Sequence, residues 1–111
     1  LPHCIIEHAP TIPNDELNQR VFAGAMASNL FAPDGSDIKV RSIAYEYYQT
    51  GSKREDFIHV TIRILSGRNE ESKMKLSHSV LEQLKSLSLS EASLTVEIVD
   101  IDRDSYAKCL V

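Results

Sequence analysis

Phe57-Ile58-His59-Val60-Thr61-Ile62-Arg63-Ile64-Leu65, continued by Ser66-Gly67-Arg68-Asn69 and Glu70-Glu71-Ser72-Lys73, decides the fold. Ile58, Val60, Ile62 and Ile64 fall on one side of an extended chain, and His59, Thr61 and Arg63 fall on the other. Alternation with β-branched residues on one side marks a strand that buries one face. The polar turn around Gly67 stops it. Glu70 and Glu71 suit the first turn of a helix, where unpaired N–H groups and the macrodipole favour acids. Met74, Leu81 and Leu84 carry the apolar side of that helix, with Leu76, Val80 and Leu87 widening it. A last strand follows from Leu94 to Ile101, in which Leu94, Val96 and Ile98 alternate against Thr95, Glu97 and Val99. This half of the chain reads as a β-α-β unit, with parallel strands and a right-handed crossover.

The same order is legible upstream. Cys4 to His8 forms a short strand around Ile5 and Ile6, bounded by Pro2 and by Ala9-Pro10-Thr11-Ile12-Pro13. A helix follows, with Asn14 and Asp15 as N-cap candidates and Glu16 in its first turn. Leu17, Val21, Ala25 and Met26 recur at helical spacing, and Phe22 and Leu30 widen the stripe. The small residues from Ala23 to Ala27 allow close packing, and Phe31-Ala32-Pro33-Asp34-Gly35 ends the helix. Ile38 to Tyr48 then reads as a strand, with Val40, Ser42, Ala44, Glu46 and Tyr48 opposite Arg41, Ile43, Tyr45 and Tyr47. Gly51 to Asp56 is a polar turn, and the tail from Asp102 shows no periodicity. The expected architecture is α+β, a single domain over residues 1–111 made of two fused β-α-β units. These pseudo-repeats span about 2–50 and 57–102. Together they form a four-stranded sheet with two helices on one face. A second subunit or a ligand is expected on the other face, since half-apolar sheet faces are rarely left wet.

Composition narrows the partners. A formal net charge of -4 with scattered basic residues argues against nucleic acid. No run of about 18 apolar residues suggests a membrane span. The N-terminus lacks the basic flank and apolar stretch of a signal peptide, so a cytoplasmic protein is expected. Cys4 and Cys109 then read as free thiols. His3, His8, His59 and His78 have no metal-ligand spacing, and no metal is expected.

The run from Ile62 to Lys73 resembles the strand, Gly-Arg turn and polar helix start of the 4-oxalocrotonate tautomerases. Pro2-His3 at the start, Val40-Arg41-Ser42 and Phe57-Ile58-His59-Val60-Thr61 resemble the fused two-unit branch, the 5-carboxymethyl-2-hydroxymuconate isomerase family. The likeness spans roughly residues 2 to 102. It implies a tautomerase/MIF-like homotrimer with three active sites. It also implies a cofactor-free isomerase that moves a proton between enol or unconjugated and conjugated keto forms of a muconate-type carboxylic acid. Such acids arise in aromatic-compound catabolism.

By this resemblance Pro2 is the general base. A secondary amine is too basic to be neutral at pH 7, but a dry pocket and nearby cations lower its pKa into the working range. Arg41 would grip a carboxylate or carbonyl oxygen of the substrate and stabilise the dienolate. Arg68, at a helix N-terminus, would bind a substrate carboxylate. Plainer roles exist for each. Pro2 is an ordinary strand-head proline. Arg41 can pair with an acid across the sheet or at a subunit contact, and Arg68 with Glu70 or Glu71. Tyr45, Tyr47, Tyr48 and Phe57 can wall a pocket or simply pack on the sheet, and His59 can bind ligand or be a satisfied sheet histidine. Leu1 precedes Pro2, and behind Leu1 the proline nitrogen is an amide without basicity. The isomerase therefore needs a chain that begins at Pro2. With Leu1 in place, the same scaffold is a non-catalytic trimeric carboxylate-binding protein. A third possibility keeps the proline amine for a decarboxylase or hydrolase.

Overall fold

The alternation around Ile58 becomes the centre of the molecule. The computed structural model describes residues 1–111. In chain order it contains β1 (His3–His8), α1 (Asn14–Ala27), β2 (Lys39–Ala44), β3 (Asp56–Leu65), α2 (Glu70–Lys85) and β4 (Ala92–Ile101). The sheet order is β2-β1-β3-β4. β1 and β2 are parallel, as are β3 and β4, and β1 meets β3 antiparallel. The two β-α-β units are thus joined edge to edge through their first strands.

Both helices cover one face. Cys4 and Ile6 of β1 and Ile58, Val60, Ile62 and Ile64 of β3 pack there against Leu17, Val21 and Ala25 of α1 and Leu76, Val80 and Leu84 of α2. Each isoleucine or leucine so buried contributes about 1.5–3 kcal/mol relative to an exposed one. Leu94, Val96 and Ile98 extend the core along β4. Both thiols are free, and burial pushes Cys4 up to about 12, which leaves it protonated and unreactive.

Three details differ from the sequence reading. The second strand ends at Ala44, not Tyr48. β2 is an edge strand paired only with β1, and β1 ends at His8, so the pairing stops with the Tyr45 N–H on the His8 carbonyl at 2.9 Å. The sheet-facing stripe of α2 is Leu76, Val80 and Leu84, whereas Met74 is exposed and Leu81 only half-buried. An i, i+4, i+8 row lies on one side of a helix, and the packing of Val80 on α1 fixes which row turns inward. Pro13, not Asn14 or Asp15, takes the N-cap position of α1, and no side chain caps that end.

The helix crossing is set at Gly24. A Cβ there would lie 2.7 Å from the Val80 Cα and 3.1 Å from the Ser79 carbonyl oxygen. The Ser79 hydroxyl donates to the Gly24 carbonyl at 2.7 Å across the same contact. Gly24→Ala recovers about 1 kcal/mol of helix propensity, but a clash with backbone on a second helix costs about 1–3 kcal/mol or more. The variant is expected to be net destabilised, read as a lower urea midpoint. An unchanged or higher midpoint would show that the helices can separate freely at this point.

Candidate active site

The antiparallel pairing of β1 and β3 brings the head of β1 to the tail of β3, next to the start of α2. A cavity of about 400 Å³ opens there. Ile64 and Leu65 of β3 form part of its wall, with Phe31 from the loop after α1. β3 ends as the Ser66 N–H reaches the Ile101 carbonyl at 3.0 Å. Gly67 follows with φ +119, a conformation that L side chains rarely adopt. This turn swings Arg68 to the cavity wall and sets Asn69 as the N-cap of α2, where its Oδ1 accepts the Ser72 N–H at 2.8 Å. The helix therefore opens into the cavity with the partial positive charge of its first turn.

Arg68 donates through Nη2 to the Leu30 carbonyl at 2.7 Å, and its guanidinium carbon lies 5.9 Å from the Phe31 ring centre. Of the two acids the sequence offered it, Glu70 pairs instead with Lys73 at 3.1 Å, and Lys73 also reaches Asp100 at 3.4 Å. No carboxylate lies within 4.0 Å of Arg68.

The Pro2 ring is fully buried, and its carbonyl accepts the Lys39 N–H at 3.1 Å. Leu1 is half-buried and lines the cavity, with its nitrogen donating to the Asp37 carbonyl at 2.7 Å. The Leu1 amino group is held below its ordinary value, first by burial and then by the Lys39 charge, against an opposing pull from Asp37. Pro2 and Arg68 thus belong to the same end of the sheet.

Arg41 does not line this cavity. It sits opposite Ile5 in the β1–β2 register, on the sheet face away from the helices, and is exposed. Its Nη1 lies 3.3 Å from Nδ1 of His3, and His3 Nε2 bonds the Tyr106 hydroxyl at 2.9 Å. The β3 and β4 part of that face carries the polar side chains that the alternation put there, and they bond to one another. Glu97 of β4 accepts from His59 Nε2 at 2.5 Å and from Thr61 at 3.3 Å, while His59 Nδ1 reaches Thr95 at 2.6 Å. The aromatic residues gather at the opposite end of the sheet. Tyr45 and Tyr48 lie 6.3 and 5.0 Å from Phe57, Arg54 covers Tyr48, and Tyr47 is exposed. They do not line the cavity.

One cavity residue lies in the tail that had no sequence reading. Arg103 donates from Nε to the Ser66 carbonyl and stands over Gly67. The signal that finds it is the parallel register: Leu65 pairs with Ile101, and the same offset carries residue 103 to residue 67.

Several solved structures share this architecture. A 5-carboxymethyl-2-hydroxymuconate isomerase from Deinococcus radiodurans R1 is 19% identical, with a TM-score of 0.75 over 97% of this chain and 88% of that one. A fused 4-OT solved as a symmetric trimer is 14% identical, with a TM-score of 0.75 over 92% and 88%. A macrophage migration inhibitory factor-like protein from Entamoeba histolytica is 11% identical, with a TM-score of 0.74 over 97% and 95%. No curated protein matches the chain. The duplicated β-α-β sheet is the fold of the tautomerase superfamily, and the protein is an isomerase of that class. A family model described as 5-carboxymethyl-2-hydroxymuconate isomerase matches residues 2–109, and the chain belongs to that family.

The open face also has a pH signature. The His59 hydrogen bond holds Glu97 below its ordinary 4.5; desolvation opposes it, and the His59 charge, the Thr61 hydrogen bond and the Arg63 charge add to the lowering. A carboxylate with a lowered folded pKa stabilises the fold above its unfolded pKa and loses that contribution as pH falls through the folded value. The pair is exposed, so the contribution is small. Thermal midpoints recorded from about pH 6 down to about pH 3 should fall less steeply below 4.5 in Glu97→Gln than in the parent. Parallel curves would mean that Glu97 makes no such contribution.

Proposed function

We propose that this protein moves a proton between the enol or unconjugated form and the conjugated keto form of a muconate-type carboxylic acid, as a cofactor-free homotrimer. The observation that carries this reading is the placement of the β1 head beside an arginine with no acidic partner, at the mouth of a helix N-terminus. In the chain that begins at Pro2, the secondary amine lies at that head. It takes the proton of the enol hydroxyl. The oxygen lone pair becomes the carbonyl, the double bonds shift, and the ammonium returns the proton to carbon. Nothing else is consumed, so no cofactor is needed. A buried strand head is the kind of surrounding that disfavours an ammonium, which is the direction a base requires. Arg68 and the first turn of α2 bind a substrate carboxylate. Arg41, exposed on an edge strand and free of acid partners, is assigned to a neighbouring protomer's cavity, where it stabilises the dienolate.

A second reading rests on Leu1. Its side chain occupies cavity wall, and its presence makes the Pro2 nitrogen an amide. A chain that keeps Leu1 would bind carboxylates without turning them over.

Intact-mass measurement of natively expressed protein, paired with a ketonisation assay on 2-hydroxymuconate, separates the two. The form starting at Pro2 should exceed the form retaining Leu1 by about 100-fold or more, the usual worth of a positioned general base. Equal rates for both forms would remove the proline mechanism. Arg68→Ala should lower kcat/KM by about tenfold to a hundredfold, mainly through KM, as expected for loss of a charge-assisted carboxylate contact.

A further inference from the structure

The cavity holds a second guanidinium that neither the family likeness nor the proton shift accounts for. Arg103 comes from the tail beyond β4, and its Nε is anchored on the Ser66 carbonyl. That anchor is neutral and uses one of its five N–H donors. No carboxylate lies within 4.0 Å of it, although the chain carries 16 acidic residues and a net charge of -4. The guanidinium lies over Gly67, with Nη2 3.7 Å and Cζ 4.0 Å from where a Cβ would stand, so the absence of a side chain there leaves the cation's flank clear. Arg68, the next residue of the same turn, is likewise hydrogen-bonded to a neutral carbonyl, lies over the Phe31 ring and has no acidic partner. Two uncompensated positive charges therefore border one cavity of about 400 Å³, beside a helix N-terminus.

We propose that Arg103 is a specificity-determining residue that binds the second carboxylate of a dicarboxylic ligand, while Arg68 holds the first. This rests on the proposed carboxylate site but not on Pro2 acting as a base. The fork of a guanidinium suits a carboxylate. One carbonyl bond leaves its outer edge free to make that contact. A monocarboxylate satisfies only one of the two cations and leaves the other unpaired.

Muconate and sorbate share a carbon skeleton and differ by one carboxylate, so their binding to the intact protein by calorimetry tests the assignment. The parent should prefer muconate by about tenfold or more, a preference that declines with added salt. Arg103→Gln keeps a donor for the Ser66 carbonyl but removes the charge. It should lose most of that preference while its sorbate affinity stays within about twofold. Arg103→Lys should keep part of the preference. If Arg103 only clamps the tail, Arg103→Gln will leave the muconate-to-sorbate ratio unchanged, whatever its thermal midpoint, and the proposal fails. It fails equally if the parent binds both acids alike or binds neither. Muconate preference that disappears in Arg103→Gln, in a protein that ketonises nothing, would sustain this role for Arg103 and remove the proline mechanism alone.

Discussion

The antiparallel ladder between β1 and β3, running from His3–Arg63 to His8–Ile58, is the contact on which the rest of the structure depends. Each β-α-β unit alone would have two strands and one helix, too little to bury its apolar side. The ladder fuses them into one sheet and one core. It also sets where strands stop. β2 follows β1 only as far as β1 extends, which is why the tyrosine-rich segment after Ala44 leaves the sheet. Because the pairing is antiparallel, the head of one unit's first strand lies beside the tail of the other's. The cavity sits at that junction, so its two sides come from different halves of the chain.

Charge is distributed unevenly over this frame. Two acids near the start of α2 and the end of β4 are bound elsewhere: Glu70 and Asp100 share Lys73. On the open face Glu97 is held by His59 and Thr61, and Glu7 takes the Tyr45 hydroxyl at 2.5 Å. What remains at the cavity is Arg68, Arg103 and the start of α2, all positive and all hydrogen-bonded to neutral groups or to none. A net negative protein can thus present a positive site, since a local field depends on which charges are paired rather than on their sum.

The helices contribute position more than chemistry. Gly24 lets α1 approach Val80 of α2 closely, and this contact selects the Leu76–Val80–Leu84 row as the buried one. The N-terminus of α2 is thereby held at the end of β3, with Asn69 capping it and Gly67 turning the chain into it.

The sequence by itself determined the element order, the duplication and the buried face of β3. These are carried by local periodicity, which a strand or helix imposes on its own residues. It also set Arg68 in the turn that leads into α2, because a Gly-Arg turn before an acidic helix start is a local pattern. Only the tertiary structure decided that Arg41 lies outside the cavity and that the aromatic cluster lies at the far end of the sheet. It alone placed Arg103 over Gly67. Those placements follow from strand register and from where partner strands end, which are relations between distant segments and leave no period in the chain. The tail after Asp102 makes the difference plain: with no pattern of its own, it acquires a place only because β4 pairs in parallel with β3 and delivers it there.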